Sequence, residues 1–345
     1  MFKINGKSYS SVDYEKFFTS LNHLNSDYEI YKFIYTWINP KNKNFNFKTS
    51  GSTGTKPKII SFKRKDILQS VKLTQSVFNF RENENIILAL PIEFIAAKML
   101  VIRAIENKMN LIIQEPNLNP FKIKSKVDVI SVVPMQLLNG IKQNFENVKK
   151  VKTILVGGAN IPLQIENMKL KNVFVTYGMT ETLTHIALRK LGEIYFNAIG
   201  NVTFKTDKNK RLILSTPHLS KKIINTNDVV NLISNTKFQF LGRFDNVINS
   251  GGVKLYPETI ENKISGLVEN NYFISSIKDE LLGEKLILII ESKLITETKI
   301  KRLNQSLKKV LTKYECPKEI YFLPKFVKTL SGKLNKIETK KLINL

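Results

Sequence analysis

Cysteine is almost missing: Cys316 stands alone, and histidine is limited to His23, His185 and His218. One thiol builds no disulfide framework, and so few scattered ligands supply no Cys/His zinc site, so a reducing compartment is expected. No long apolar run is free of charge. The nearest, Ile86 to Ile105, carries Pro91, Glu93, Lys98 and Arg103. A lipid-facing helix does not tolerate that load, which predicts a buried strand and helix and no membrane insertion. The opening residues M-F-K-I-N-G-K-S-Y-S lack the apolar core of an export signal, so the expected location is cytoplasmic. Acidic residues are also scarce, 29 against 54 Lys plus Arg, for a formal charge of +25. The lysines run from Lys3 to Lys341 in no stripe, among abundant Asn and Ile whose codons are equally A/T-rich. No nucleic-acid motif accompanies them, so no nucleic-acid partner is expected; attraction of small anions fits the charge better.

What is present is a large core. Apolar residues make up 42% of the 345, with 21 Phe and 11 Tyr, which excludes a disordered chain and suggests about two domains. Short β-rich runs ending in Pro or Gly recur: I-I-L-A-L-P (86–91), L-I-I-Q-E-P (111–116), D-V-I-S-V-V-P (128–134), K-T-I-L-V-G-G (152–158) and N-V-F-V-T-Y-G (172–178). Continuous apolar runs mark strands covered on both faces, and helix-length spacers make parallel crossovers. After Gly200 shorter strand signals follow, R-L-I-L-S-T (211–216) and F-Q-F-L-G-R (238–243). L-I-L-I-I-E-S (286–292), a helical stripe at Ile300, Leu303, Leu307, Val310 and Leu311, and E-I-Y-F-L (319–323) then close a separate module. The expected architecture is α/β: a large N-terminal domain, 1–244, with mostly parallel sheet layers, and a small α+β C-terminal domain, 245–345. There is no internal repeat or low-complexity linker.

Ligands gather at the carboxyl ends of parallel strands, so G-G-A-N (157–160) and Y-G-M-T-E-T (177–182) stand where a site is expected. A third segment, T-S-G-S-T-G-T-K-P-K (49–58), is poor in side chain and rich in amide, hydroxyl and ammonium donors, as an anion-cradling loop would be. It is not a Walker A loop, because Lys56 occupies the place of the second glycine. Alone it also reads as a flexible turn.

Its companions shift the balance. The loop resembles the phosphate-loop signature of the adenylate-forming superfamily, which includes acyl-CoA ligases, peptide-synthetase adenylation domains and luciferases. Further segments resemble that family in order: Y-G-M-T-E (177–181), T-N-D (226–228), G-R-F-D-N-V-I-N-S-G-G-V-K-L-Y-P-E-T-I-E (242–261) and K-T-L-S-G-K-L-N-K (328–336). The resemblance implies ATP, Mg²⁺ and CoA as co-substrate, with a carboxylic acid first converted to an acyl adenylate and then passed to a thiol. It places Thr49, Ser50, Gly51, Ser52, Thr53, Gly54 and Lys58 around the β- and γ-phosphates. Gly158, Ala159, Tyr177 and Gly178 would lie at the base, Asp228 and Arg243 at the ribose, Thr180 at the α-phosphate, and Glu181 at Mg²⁺. Lys333 would be the catalytic lysine, Asp245 the hinge, and Gly251 and Gly252 the CoA channel. For Glu181 and Lys333 the alternative is an ordinary solvated charge. Asn227 replaces the family's glycine before the aspartate; asparagine tolerates the same left-handed backbone, so little damage is expected.

The acid is suggested by L-P-I-E-F-I-A-A-K-M-L-V-I-R-A-I (90–105). On one helix Ile92, Ala96, Met99, Leu100 and Arg103 share a face, aiming Arg103 into an apolar setting. It then either pairs with a local acid or binds a second substrate carboxylate. L-P-x-x-F-I-A-A-K-M and Y-G-M-T-E-T-L-T-H-I-A resemble the short o-succinylbenzoate:CoA ligases of menaquinone biosynthesis, whose substrate has two carboxylates. That resemblance adds Phe94, Lys98, Thr184 and His185 to Arg103 as acyl-site candidates; His185 also reads as a packed core histidine. Most superfamily members carry a longer region before the phosphate loop, and the aromatic-rich stretch Phe17 to Trp37 is expected to stand in for it. Another acid, a carrier-protein thiol as acceptor, and a non-enzymatic binding role are the competing readings. A homodimer is a possible assembly.

Overall fold

The computed structural model describes residues 1–49, 58–168, 170–293, 296–328 and 334–343. Its spine is a 13-stranded sheet. From the Val173–Gly178 strand one half of it runs parallel through Thr153–Val156, Val129–Val132, Asn85–Leu88, Asn110–Ile113 and Phe2–Ile4. Lys7–Tyr9 closes that edge antiparallel. The other half is antiparallel throughout: His185–Lys190, Phe196–Ala198, Lys237–Arg243, Ile223–Ser234, Arg211–Ser215 and Thr203–Thr206. The α/β class holds, with parallel pairing in this sheet confined to the half before Gly178. Thr153–Val156 is buried at every residue, as the unbroken apolar run predicts for a strand covered on both faces.

The Ile95–Glu106 helix divides two cores. Met99 and Ile102 face the main cluster, while Ala97, Leu100, Val101 and Ala104 face a second one built with Phe2, Tyr14 and Ile34. Phe94 caps this helix, so Ile92 lies in the preceding turn and not on the helical face expected for it. Helices Ser11–Thr19 and Tyr28–Ile38 supply an aromatic cluster over the same sheet edge, including Phe18 stacked on Tyr35 at 4.8 Å. The aromatic stretch therefore does pack as a unit, helped by two three-residue strands ahead of it.

Residues from Ile248 onward form a second sheet: Val253–Leu255, Ile248–Ser250, Gly283–Glu291 and Tyr272–Asp279, with Glu319–Leu323 parallel to Gly283–Glu291. It has its own clusters, with Leu307 and Leu311 of the helical stripe packed on Leu286 and Leu288. Gly251 and Gly252 turn the first hairpin at φ of +55° and +79°, the positive pair that a two-residue hairpin loop favours. Thr259 Oγ1 donates to Leu241 O at 2.6 Å, and Leu163 N donates to Ser265 Oγ at 2.8 Å, tying this unit to the large sheet. Among the described residues no helix is long and apolar enough to cross a membrane.

Candidate active site

A cavity of about 1290 Å³ opens at the carboxyl ends of the parallel strands and is walled on its far side by the small unit. The turn after Thr153–Val156 brings in Gly158 and Ala159; Gly158 has φ +87°, which a side chain would strain. Val173–Gly178 delivers Tyr177 and Gly178, and the 3₁₀ turn Thr180–Thr182 sets Thr180 and half-buried Glu181 against the space. Asp228 and Arg243 enter from neighbouring antiparallel strands, where they are direct partners in register.

The strand hairpin Asn44–Lys48 with Ile59–Lys63 carries the donor-rich loop. Thr49 N donates to Lys58 O at 2.8 Å, and Lys58 N donates to Thr49 Oγ1 at 2.9 Å, so the loop is pinched at its base. Both residues line the cavity. Ser50, Gly51, Ser52, Thr53, Gly54 and Lys333 lie outside the described residues.

At the ribose candidates, Tyr177 donates to Asp228 Oδ2 at 2.5 Å and Arg243 Nη1 to Asp228 Oδ1 at 3.3 Å. Burial, reinforced by the Asp228 charge, holds the Tyr177 phenol well above its usual range, so it remains a donor. Asn227 does not use the left-handed backbone that asparagine tolerates. It sits within the Ile223–Ser234 strand, absent from the positive-φ residues, and its amide donates to Asp245 Oδ2 at 3.2 Å. Asp245 also receives Arg243 Nη2 at 3.4 Å. Gly251 and Gly252 do not line the cavity in this arrangement.

The acyl candidates gather only in part. Arg103 is 3% exposed, and its Nη2 donates to Thr184 Oγ1 at 2.8 Å while Nε has no partner. Among the described residues no carboxylate pairs with it, so the local ion pair foreseen as an alternative is not formed. Burial without a counter-charge pulls its pKa down to about 9. His185 is packed beside it, Nε2 at 2.9 Å from Thr74 Oγ1 and Nδ1 at 3.4 Å from Thr184 Oγ1. Because the Thr74 hydroxyl donates to Ser70 O, it accepts from His185, which assigns the proton to Nε2. Burial first, and then the Arg103 charge, keep this ring neutral, well below its usual pKa. Lys98 stands apart, its ammonium over the Phe33 and Phe47 rings at 5.5 and 5.6 Å. Phe94, 37% exposed, lies where the order of parallel strands reverses beside Asn85–Leu88, the place where loops diverge and leave a crevice.

Some site residues gave no sequence signal. Ser70 and Thr74 are polar positions on the Arg64–Phe78 helix, indistinguishable from surface residues until that helix packs against His185. Leu183 is buried at φ +64°, an unusual conformation for a branched residue, and it turns the chain between Glu181 and Thr184.

Residues 38–221, more than half of the chain, match the sequence family described as AMP-binding enzyme. The chain belongs to that family. Among curated relatives, the 2-succinylbenzoate--CoA ligase of Geobacillus sp. (strain WCH70) is 25% identical, the match covering 86% of this chain and 68% of the relative. The protein of the same name from Oceanobacillus iheyensis is 26% identical over 83% and 67%. The chain thus spans about two thirds of the length of these relatives. Among solved structures, an acyl-CoA synthetase (AMP-forming)/AMP-acid ligase II-like protein from Dyadobacter fermentans is 29% identical, with coverage of 97% and 98% and a TM-score of 0.60. O-succinylbenzoate coenzyme A synthetase (MenE) from Bacillus subtilis, solved with ATP and magnesium ion, shares the fold at 19% identity, 86% and 69% coverage and a TM-score of 0.73.

The chemistry of this AMP-binding enzyme is consistent with its cavity. Small residues at 158 and 159 admit a flat base, and an acceptor and a cation side by side suit a vicinal diol. Among the described residues no cluster of His, Cys, Asp or Glu could cage a metal. A lone carboxylate such as Glu181 fits Mg²⁺ that arrives on phosphates, since that ion commonly takes one or two protein carboxylates and keeps its other ligands.

Proposed function

We infer that the chain is an ATP-dependent, AMP-forming acid:CoA ligase whose acid is 2-succinylbenzoate. Arg103 carries the choice of acid. A buried guanidinium is stable only with an anion nearby, and no protein carboxylate supplies one among the described residues. A substrate with two carboxylates would leave one for activation and offer the other to Arg103 and Thr184. The names of the relatives at 25% and 26% identity support the same acid.

In the first half-reaction a carboxylate oxygen attacks the α-phosphorus of ATP, the bond to the β-phosphate breaks, and pyrophosphate leaves with the electron pair. Two anions must approach, so positioning and charge neutralisation carry the rate. Asp228 and Arg243 would hold the ribose, Gly158 and Ala159 the base, and Thr180 the α-phosphate. Thr49, Lys58 and residues 50–54 would take the departing phosphates, and Lys333 would bridge the attacking oxygen and the nucleotide. Mg²⁺, held by Glu181, would neutralise phosphate charge. In the second half the CoA sulfur attacks the acyl carbon and AMP leaves. The division at 244/245, rotation about Asp245 and a channel past Gly251 and Gly252 belong to this proposal.

The test is pyrophosphate release with ATP and Mg²⁺ across 2-succinylbenzoate, benzoate and a fatty acid, with and without CoA. Turnover with 2-succinylbenzoate, coupled to thioester formation only when CoA is present, is expected. Turnover with a different acid would discard the substrate and keep the chemistry; silence with folded protein would discard both.

A further inference from the structure

Asp228 is buried in the cavity wall, and each of its oxygens is already used once, Oδ2 by the Tyr177 hydroxyl and Oδ1 by Arg243. A carboxylate offers about four acceptor sites, so roughly one per oxygen is left for a ligand. The two donors come from different strands, Val173–Gly178 and Lys237–Arg243. Turning the carboxylate about its last torsion would break at least one contact. The Asp228 backbone is held as well: its N–H donates to Thr226 Oγ1 at 3.1 Å, and that hydroxyl donates to Leu212 O at 2.8 Å.

The two donors are unequal. Arg243 contacts Asp228 at 3.3 Å and divides itself with Asp245 at 3.4 Å, on a side chain one-third exposed. Tyr177 donates at 2.5 Å from a buried ring packed against the stacked pair Phe196 and Phe238, whose centroids lie 5.7 and 5.0 Å away. The rigid donor, not the shared one, therefore sets the plane of the carboxylate.

We propose that Tyr177 is a positioning residue: it fixes the Asp228 carboxylate so that both free acceptors meet a vicinal diol, making the cavity select ribonucleotides over 2′-deoxyribonucleotides. This rests on the nucleotide reading of the cavity, and Tyr177 acts on the ligand through Asp228.

The full chain is titrated calorimetrically with ATP and with 2′-deoxyATP in the presence of Mg²⁺. Wild type should favour ATP by about tenfold or more, one charge-assisted hydrogen bond in size. Tyr177→Phe keeps the ring and removes only the hydroxyl; the preference should shrink by roughly fivefold, mostly through weaker ATP binding. In pyrophosphate release the Michaelis constant for ATP should rise while kcat stays within about threefold. An unchanged ratio of the two dissociation constants, including equal weakening of both, overturns the proposal, as does a wild type that does not discriminate. Asp228→Asn tests the same geometry if Tyr177→Phe does not fold: one acceptor oxygen replaces two, and retained preference for ATP would be contrary to the proposal. Tight ATP binding without pyrophosphate release would sink the ligase reading alone, whereas no ATP binding by wild type would sink both.

Discussion

Arg103 holds its positive charge almost wholly out of contact with solvent, and among the described residues only the Thr184 hydroxyl accepts from it. Such a charge destabilises the free protein and rewards an incoming anion. Arg103→Ala should therefore raise the Michaelis constant for 2-succinylbenzoate roughly ten- to a hundredfold, the range of a charge-assisted hydrogen bond, and leave that for ATP nearly unchanged. Initial-rate kinetics in both substrates check it; equal effects on the two would remove Arg103 from the acyl site. His185 makes a prediction about pH. In the unfolded chain an imidazole takes up its proton near pH 6.5, whereas in the fold burial and Arg103 keep it neutral to lower pH. Below about pH 6.5 the unfolded state binds the extra proton, so stability present above that pH is lost as pH falls, by up to about 1.4 kcal/mol per unit for one group. His218 shifts in the same direction, so the measurement is a difference. Urea unfolding at pH 7.5 and 5.5 should show a steeper loss for wild type than for His185→Gln, and identical slopes would assign the effect elsewhere.

The Val173–Gly178 strand is the element on which the site turns. On one side it pairs parallel with Thr153–Val156, and on the other antiparallel with His185–Lys190. Its end therefore faces the nucleotide cavity and the Arg103 cluster at once. Gly178 is what lets the two sides approach. A Cβ there would stand 2.2 Å from Thr184 O and 2.6 Å from His185 Cα, backbone atoms that cannot swing aside. Gly178→Ala should destabilise the fold by about 1–3 kcal/mol, as overpacking does, and should also weaken acid binding by displacing Thr184. Denaturant midpoints and the Michaelis constant for the acid measure the two parts. A normal midpoint with normal acid kinetics would show that the turn relaxes freely. A neighbouring device holds the other flank: Glu166 receives both terminal nitrogens of Arg189 and the Gly192 N–H, fixing the loop beyond His185–Lys190.

At the scale of the whole molecule the cavity belongs to two units, since Glu258, Thr259 and Asn262 of the small one wall it together with Tyr177 and Asp228 of the large one. Among the described residues few polar contacts cross between them near the site, chiefly Thr259 to Leu241, Leu163 to Ser265, and Asn227 and Arg243 to Asp245. A small hydrogen-bonded seam is compatible with rearrangement between half-reactions. If Lys333 serves only the first, Lys333→Ala should abolish pyrophosphate release yet leave thioester formation from supplied acyl adenylate largely intact. Equal loss of both half-reactions would refute the assigned role.

The parallel strands and the order of the ligand motifs were legible in the amino-acid sequence because each rests on local pattern: unbroken apolar runs where both faces are covered, and small or donor-rich residues where a ligand approaches. The family match bears out the resemblance those motifs suggested. Phe2–Ile4 and Lys7–Tyr9 are too short to show any period, and only the exposed edge beside Asn110–Ile113 makes strands of them. That Asn227 lies in extended backbone is set by the pairing of the Ile223–Ser234 strand on both sides and not by the residue's own preferences. Composition and motif determined that this chain folds as α/β and handles a nucleotide. That Arg103 is buried with no counter-charge among the described residues, which hydroxyls meet His185, and how Tyr177 grips Asp228 were decided only in three dimensions. Charge and hydrogen bonding between residues distant in sequence depend on burial and on separations of a few ångströms, and neither is encoded in local pattern.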